Sequence, residues 1–110
     1  MAQVHVESGQ VTSVAALGPQ LRQHRTAALL KARQLEVVRL VLPAGKALPE
    51  HAAPGEITLQ CLEGAIELGT PSGTQRMQAA DFIHLDAGVP HALRALDDAS
   101  LLLTICLAAP

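Results

Sequence analysis

Glycine and proline punctuation constrains this chain more than any other feature. Eight Gly and seven Pro, most of them beyond residue 25, cut the remainder into pieces of roughly six to ten residues, the usual length of strands and too short for most globular helices. Leu and Ala, with 18 and 19 residues, are good helix formers, but a helix needs an unbroken run that this punctuation denies. An all-β reading follows. At 110 residues the chain fits one domain and should bury about two-thirds of the surface its unfolded form exposes.

The spacing predicts a helical turn over 12–17, with Thr12 or Ser13 as its cap and Gly18-Pro19 as its end, and a second short turn over 20–25. Strands are expected over 26–31, 35–42, 57–63, 65–68, 76–79, 82–85, 92–96 and 100–107, separated by turns at 43–45, 69–73 and 88–90. Short strands in that number point to a closed barrel or a sandwich rather than an open sheet. Residues 1–25 read as an N-terminal extension and 26–110 as a single β-barrel domain. The first ten residues and 108–110 are the segments expected to be loose.

Composition removes several function classes. Eight basic residues against ten acidic ones give a net charge of −2, and no window concentrates Lys or Arg, so no nucleic-acid partner is expected. The only aromatic of the Phe, Tyr and Trp class is Phe82, which argues against recognition by stacking. Cys61 and Cys106 lack the CxxC spacing of a zinc knuckle and do not suggest a disulfide framework; a reducing compartment is the simpler reading. The first residues have neither a basic n-region nor an apolar h-region, and no apolar run approaches about 18 residues. A soluble cytoplasmic protein with no membrane partner is therefore expected. A Walker-type phosphate loop, a GxSxG elbow and a GxGxxG after a strand are all missing from the sequence.

The five histidines are His5, His24, His51, His84 and His91. Gly45 is followed after five residues by His51, Gly64 closes the strand that comes next, and Gly88-Val89-Pro90-His91 repeats a turn glycine just before a histidine that opens a strand. This arrangement resembles the cupin superfamily. That family's first motif falls without a gap on Gly45, His51, Ala53, Ile57 and Gly64, and its second on Ala80, Asp86, Gly88, His91 and Ala95. Fifteen residues separate the two, a short spacing like that of small microbial members, and the likeness spans residues 35–107.

The resemblance implies a double-stranded β-helix, a small jelly-roll barrel that often dimerises and usually holds one divalent metal through three His and one Glu. Ala53 stands where a second His would be and Ile57 where the Glu would be, so only His51 and His91 remain as metal ligands. Catalytic metals ordinarily take at least three protein ligands. Two imidazoles alone bind weakly, and the expectation is that no Fe, Mn, Ni or Zn is held tightly. Strand alternation points Glu56 to the face opposite position 57 unless the Pro54-Gly55 turn shifts the pleat; His84 reads as a wall or surface histidine, Glu63 as a strand-end surface charge, and Arg39 as pointing outward. Cys61 reads as a small buried hydrophobe.

The expected site is a ligand pocket formed by His51, Ala53, Ile57, Leu59, Cys61 and His91. One reading is binding or sensing of a compact, partly apolar small molecule whose carbonyl or carboxylate accepts from His51 or His91. A second is an enzyme, either a metal-dependent dioxygenase or isomerase with a reduced ligand set or a metal-free one with a histidine as general base, since imidazole suits proton transfer at neutral pH. A third is an interaction role in which the barrel chiefly forms a homodimer, with 26–31 as an edge strand pairing across the two copies.

Overall fold

The computed structural model describes residues 5–107; the expectation of looseness for 108–110, and for 1–4 of the first ten residues, lies outside that range. Nine strands form among the described residues: β1 Ala27–Lys31, β2 Leu35–Leu42, β3 Ala47–His51, β4 Ile57–Glu63, β5 Ala65–Thr70, β6 Gly73–Gln78, β7 Phe82–Leu85, β8 His91–Ala95 and β9 Ala99–Cys106. They make two antiparallel sheets, one of five strands in the order β1-β2-β9-β4-β7 and one of four in the order β3-β8-β5-β6. Inward positions alternate along each strand, so Leu40, Leu42, Leu59, Cys61 and Leu101 of the larger sheet meet Ile66, Leu68, Met77, Leu93 and Ala95 of the smaller one in a single core. Each fully buried Leu or Ile there contributes about 1.5–3 kcal/mol relative to exposure. Aliphatic volume replaces the aromatics the chain lacks.

β3 escaped the sequence reading because Pro49 lies in its middle and proline cannot donate to a ladder. The structure accommodates it on the outer edge of the four-stranded sheet, with a register shift between Leu48 and His51. The hairpin arms β5 and β6 also run longer than expected, meeting at Thr70 and Gly73. The helical turn expected over 12–17 does not form; one six-residue 3₁₀ helix, Gly18–Gln23, lies near the second expected turn instead. Ser13 accepts a hydrogen bond from the Ala15 N–H at 3.1 Å without capping a helix.

Residues 14–21 of the N-terminal extension are strapped across the outer face of the larger sheet. Along β4 strict alternation would send Glu63 into the core with Ile57, Leu59 and Cys61. A bulge intervenes: Cys61 pairs with Leu101 but Glu63 pairs with Ser100, so Glu63 emerges on the outside. There its carboxylate accepts from the backbone N–H of Leu17 at 2.9 Å and of Gly18 at 3.0 Å, and from the Ser100 hydroxyl. Arg39 Nη2 stands 3.7 Å from the same carboxylate and donates to the carbonyls of Val14 and Ala15. Arg39 thus points outward as expected but is buried under the strap, and Glu63 is not the free surface charge its position suggested. Leu21 of the 3₁₀ helix is buried with them.

Burial alone would raise the Glu63 carboxyl, but the hydrogen bonds from Leu17, Ser100 and Gly18 and the Arg39 charge outweigh it, and the group sits below its ordinary range. A carboxyl depressed in the folded state stabilises at neutral pH, and that contribution is lost as the pH falls below about 4.3, the ordinary glutamate value, toward the lower native one. We expect Glu63→Gln to cost about 1–3 kcal/mol at neutral pH and to speed amide exchange at Leu17 and Gly18. The gap to the unsubstituted chain should close on acidification below the native value; equal stability of the two at pH 7 would contradict the strap assignment. Gly64 supports the same bulge from a positive φ of 76°, and a methyl group on its Cα would collide with the Asp98 carbonyl oxygen. Gly64→Ala should therefore lose at least about 2 kcal/mol, read as a lower thermal midpoint.

Candidate functional site

His51 and His91 are far apart in sequence but direct cross-strand partners on β3 and β8. Between Leu48 and His51 the chain advances three residues while β8 advances two, from Leu93 to His91. The extra residue turns His51 to the inner face that Leu48 and Leu93 already occupy, where simple alternation would have sent it out. The two rings consequently lie with centroids 4.4 Å apart, tilted at 57°. His91 is 4% exposed, whereas His51 stands at the open rim.

Both rings are oriented in the same way. His51 Nδ1 is 3.2 Å from the Pro49 carbonyl and His91 Nδ1 is 3.0 Å from the Val89 carbonyl. A carbonyl can only accept, so each Nδ1 carries the proton and each neutral ring keeps its lone pair on Nε2. The polar groups offered to a ligand are thus acceptors. A ligand hydroxyl or N–H suits such acceptors, whereas the carbonyl or carboxylate expected from the sequence would need the ring to take a second proton.

The rings border a cavity of about 60 Å³ that is otherwise apolar, lined by Ile57, Leu59, Leu40, Leu48, Leu85, Leu93 and Leu103. Of the expected pocket residues, His51, Ile57, Leu59 and His91 come together there; Ala53 and Cys61 do not line it. Ala53 lies in the β3–β4 loop, and its carbonyl accepts from the Gly88 N–H at 2.9 Å, tying that loop to the turn before β8. Cys61 shares the inward face of β4 but lies in the core with no exposure. Its thiol donates to the Glu63 carbonyl at 3.4 Å, and burial pushes its pKa up despite that bond, which makes it a poor nucleophile. The cavity leucines of β3, β7 and β8 were missed because their partners across the barrel follow from pairing, which a linear sequence does not display.

Glu56 and His84 do not complete a ligand set inside the barrel. Both are exposed, and His84 Nε2 meets Glu56 Oε1 at 2.7 Å on the outer surface. The cavity therefore offers two imidazole nitrogens and no carboxylate. Free Nε2 lone pairs suit a metal, but the donor count does not, and these residues do not fit the catalytic metal centre that the resemblance implies. A wider open cleft of about 1000 Å³ lies under the strap, between residues including Ser13, His24, Thr26 and Arg39. Glu63 already balances the one buried cation there.

Comparison with known proteins bears on the family. The family model described as a cupin domain matches residues 38–107. No curated protein matches the chain. Among solved structures, a conserved protein of unknown function from Streptococcus pyogenes is similar at a TM-score of 0.75 and 22% identity, covering 100% of this chain and 97% of that one. An RmlC-like cupin family protein with a double-stranded β-helix fold from Methanocaldococcus jannaschii aligns at a TM-score of 0.73 and 13% identity, over 89% of this chain and 93% of that one. A further RmlC-like cupin protein, from Desulfovibrio desulfuricans, gives a TM-score of 0.68 and 22% identity, over 93% and 97%. At such identities the structures speak to fold alone, and they agree with the two facing antiparallel sheets. With the family model spanning most of the chain, this protein belongs to the cupin family and has its all-β double-stranded β-helix fold.

Proposed function

We propose that this cupin binds a small molecule in the barrel cavity: a compact, mostly apolar ligand with one hydroxyl or N–H group that donates to Nε2 of His91 or His51. The observation that carries this reading is that two histidine rings, each with its Nδ1 taken by a backbone carbonyl, border a cavity otherwise lined by aliphatic side chains. Such a cavity combines apolar burial with a few placed polar groups, the usual make-up of a ligand site. Its volume of about 60 Å³ is far below the roughly 300–1,000 Å³ of drug-sized pockets. The ligand has few non-hydrogen atoms, and at no more than about 1.5 kcal/mol per atom it binds in the micromolar range or more weakly. No divalent metal takes part in this binding.

The buried lone pair of His91 also favours a second reading, metal-free proton transfer with His91 Nε2 as the base. Turnover of a bound compound, abolished in His91→Phe, would separate catalysis from binding. We further propose a homodimer formed along β1, one of the two edge strands of the five-stranded sheet, pairing away from Leu29, whose carbonyl already accepts from the Val6 N–H at 2.8 Å, because an unpaired edge is otherwise a liability. On cysteine usage we assign the chain to the cytoplasm, and no helix among the described residues is long and apolar enough to cross a membrane.

In a fragment titration followed by NMR, small alcohols and amides should shift the His91 ring resonances, while matched carboxylates should not at neutral pH. His91→Phe keeps a planar aromatic ring, somewhat larger than imidazole, and removes the acceptor, and should weaken binding at least tenfold, about 1.4 kcal/mol. Equal affinity in that variant would overturn the proposed site. Sedimentation at micromolar concentration should return twice the mass of the 11.5 kDa chain; a monomeric mass would remove the β1 pairing.

A further inference from the structure

Outside the barrel, where β4 begins and β7 ends, register gathers three more donor groups. Ile57 pairs with Leu85 and Thr58 with His84. Ile57 and Leu85 face the core, so their neighbours Glu56, His84 and Asp86 all face solvent. The same register carried one step further sets Glu56 opposite Asp86, with His84 diagonal to Glu56. One ligand atom from each of the three lies within 4.8 Å of the others.

Two carboxylates facing each other across an antiparallel pair repel. His84 Nε2 reaches Glu56 at 2.7 Å, but the Asp86 carboxylate has no hydrogen bond or ion pair among the described residues. A cation seated between the three groups would relieve that repulsion and satisfy Asp86. We propose that Glu56, His84 and Asp86 form a surface site for a divalent transition metal, with zinc as its preferred ion. One imidazole with two carboxylates is a borderline donor set that suits zinc, whereas magnesium and calcium favour oxygen alone. Zinc bonds of about 2.1 Å in a tetrahedron set ligand atoms about 3.4 Å apart. The observed spread closes to that by rotation of three exposed side chains, and the fourth position stays open to water. This site is independent of the cavity at His51 and His91, from which its donors point away.

Equilibrium dialysis of the chelator-washed chain against zinc tests the assignment. The expected result is about one equivalent bound in the micromolar range, weakened at least tenfold by His84→Ala and by Asp86→Asn and unaffected by His91→Ala. All three groups are exposed, so His84→Ala and Asp86→Asn should melt like the parent chain without zinc, and zinc should raise the melting temperature of the parent only. The proposal is overturned by failure to bind at roughly 100 µM zinc, by binding that survives His84→Ala unchanged, or by binding that disappears in His91→Ala. The last outcome would place the ion in the barrel instead.

Discussion

Strand register, with its period of two, decides which chemistry this barrel presents and where. A one-residue slip exchanges the two faces of a strand, and two of the register shifts among the described residues decide where functional groups lie. The bulge between Leu48 and His51 turns a histidine inward beside His91, and the bulge between Cys61 and Glu63 turns a carboxylate outward beneath the N-terminal strap. Without the first, His51 would face away from the cavity. Without the second, a carboxylate would enter a core made of Leu, Ile, Met and Ala, at a desolvation cost its hydrogen bonds could not offset.

Much of the fold was legible because glycine and proline set strand lengths, and Ile57, Leu59 and Cys61 alternate cleanly. The motif positions also placed His51 and His91 together, since Gly45 and Gly88 begin turns that lead into paired strands. What stayed hidden depended on pairing. Pro49 argues against a strand when read locally, yet an edge position tolerates it. Glu63 looks like a surface charge until Ser100, 37 residues on, is known to be its neighbour. Arg39 between Val38 and Leu40 signals an outward side chain, but nothing near it in sequence announces that Val14 and Ala15 will cover it. Local patterning reports faces, and only topology reports what lies against them.

The cavity shows what happens to a barrel interior when ligand positions carry aliphatic groups. Ala53 and Ile57 cannot donate electrons to an ion, and Ile57 instead adds to a leucine wall. The two remaining imidazoles are still held as metal ligands commonly are, each Nδ1 on a backbone carbonyl, and both rings border the cavity. Two imidazoles too few to hold a catalytic ion remain able to accept hydrogen bonds, the role the proposed function gives them. On the proposed reading, binding depends on apolar burial and one or two directional bonds, which limits affinity and favours a ligand small enough to fit among leucines.

The start of β4 makes the dependence on register most concrete. The family's motif sets a carboxylate at the position that Ile57 occupies, facing the barrel interior; this chain has its carboxylate one residue earlier, at Glu56. On a strand that single step is a change of face, so the group leaves the cavity and meets His84 outside. The inner wall gains an isoleucine and loses its charge, while the outer edge gains an acidic group opposite Asp86. The apolar interior and the charged exterior of this end of the barrel therefore both follow from which of the adjacent positions 56 and 57 carries the carboxylate.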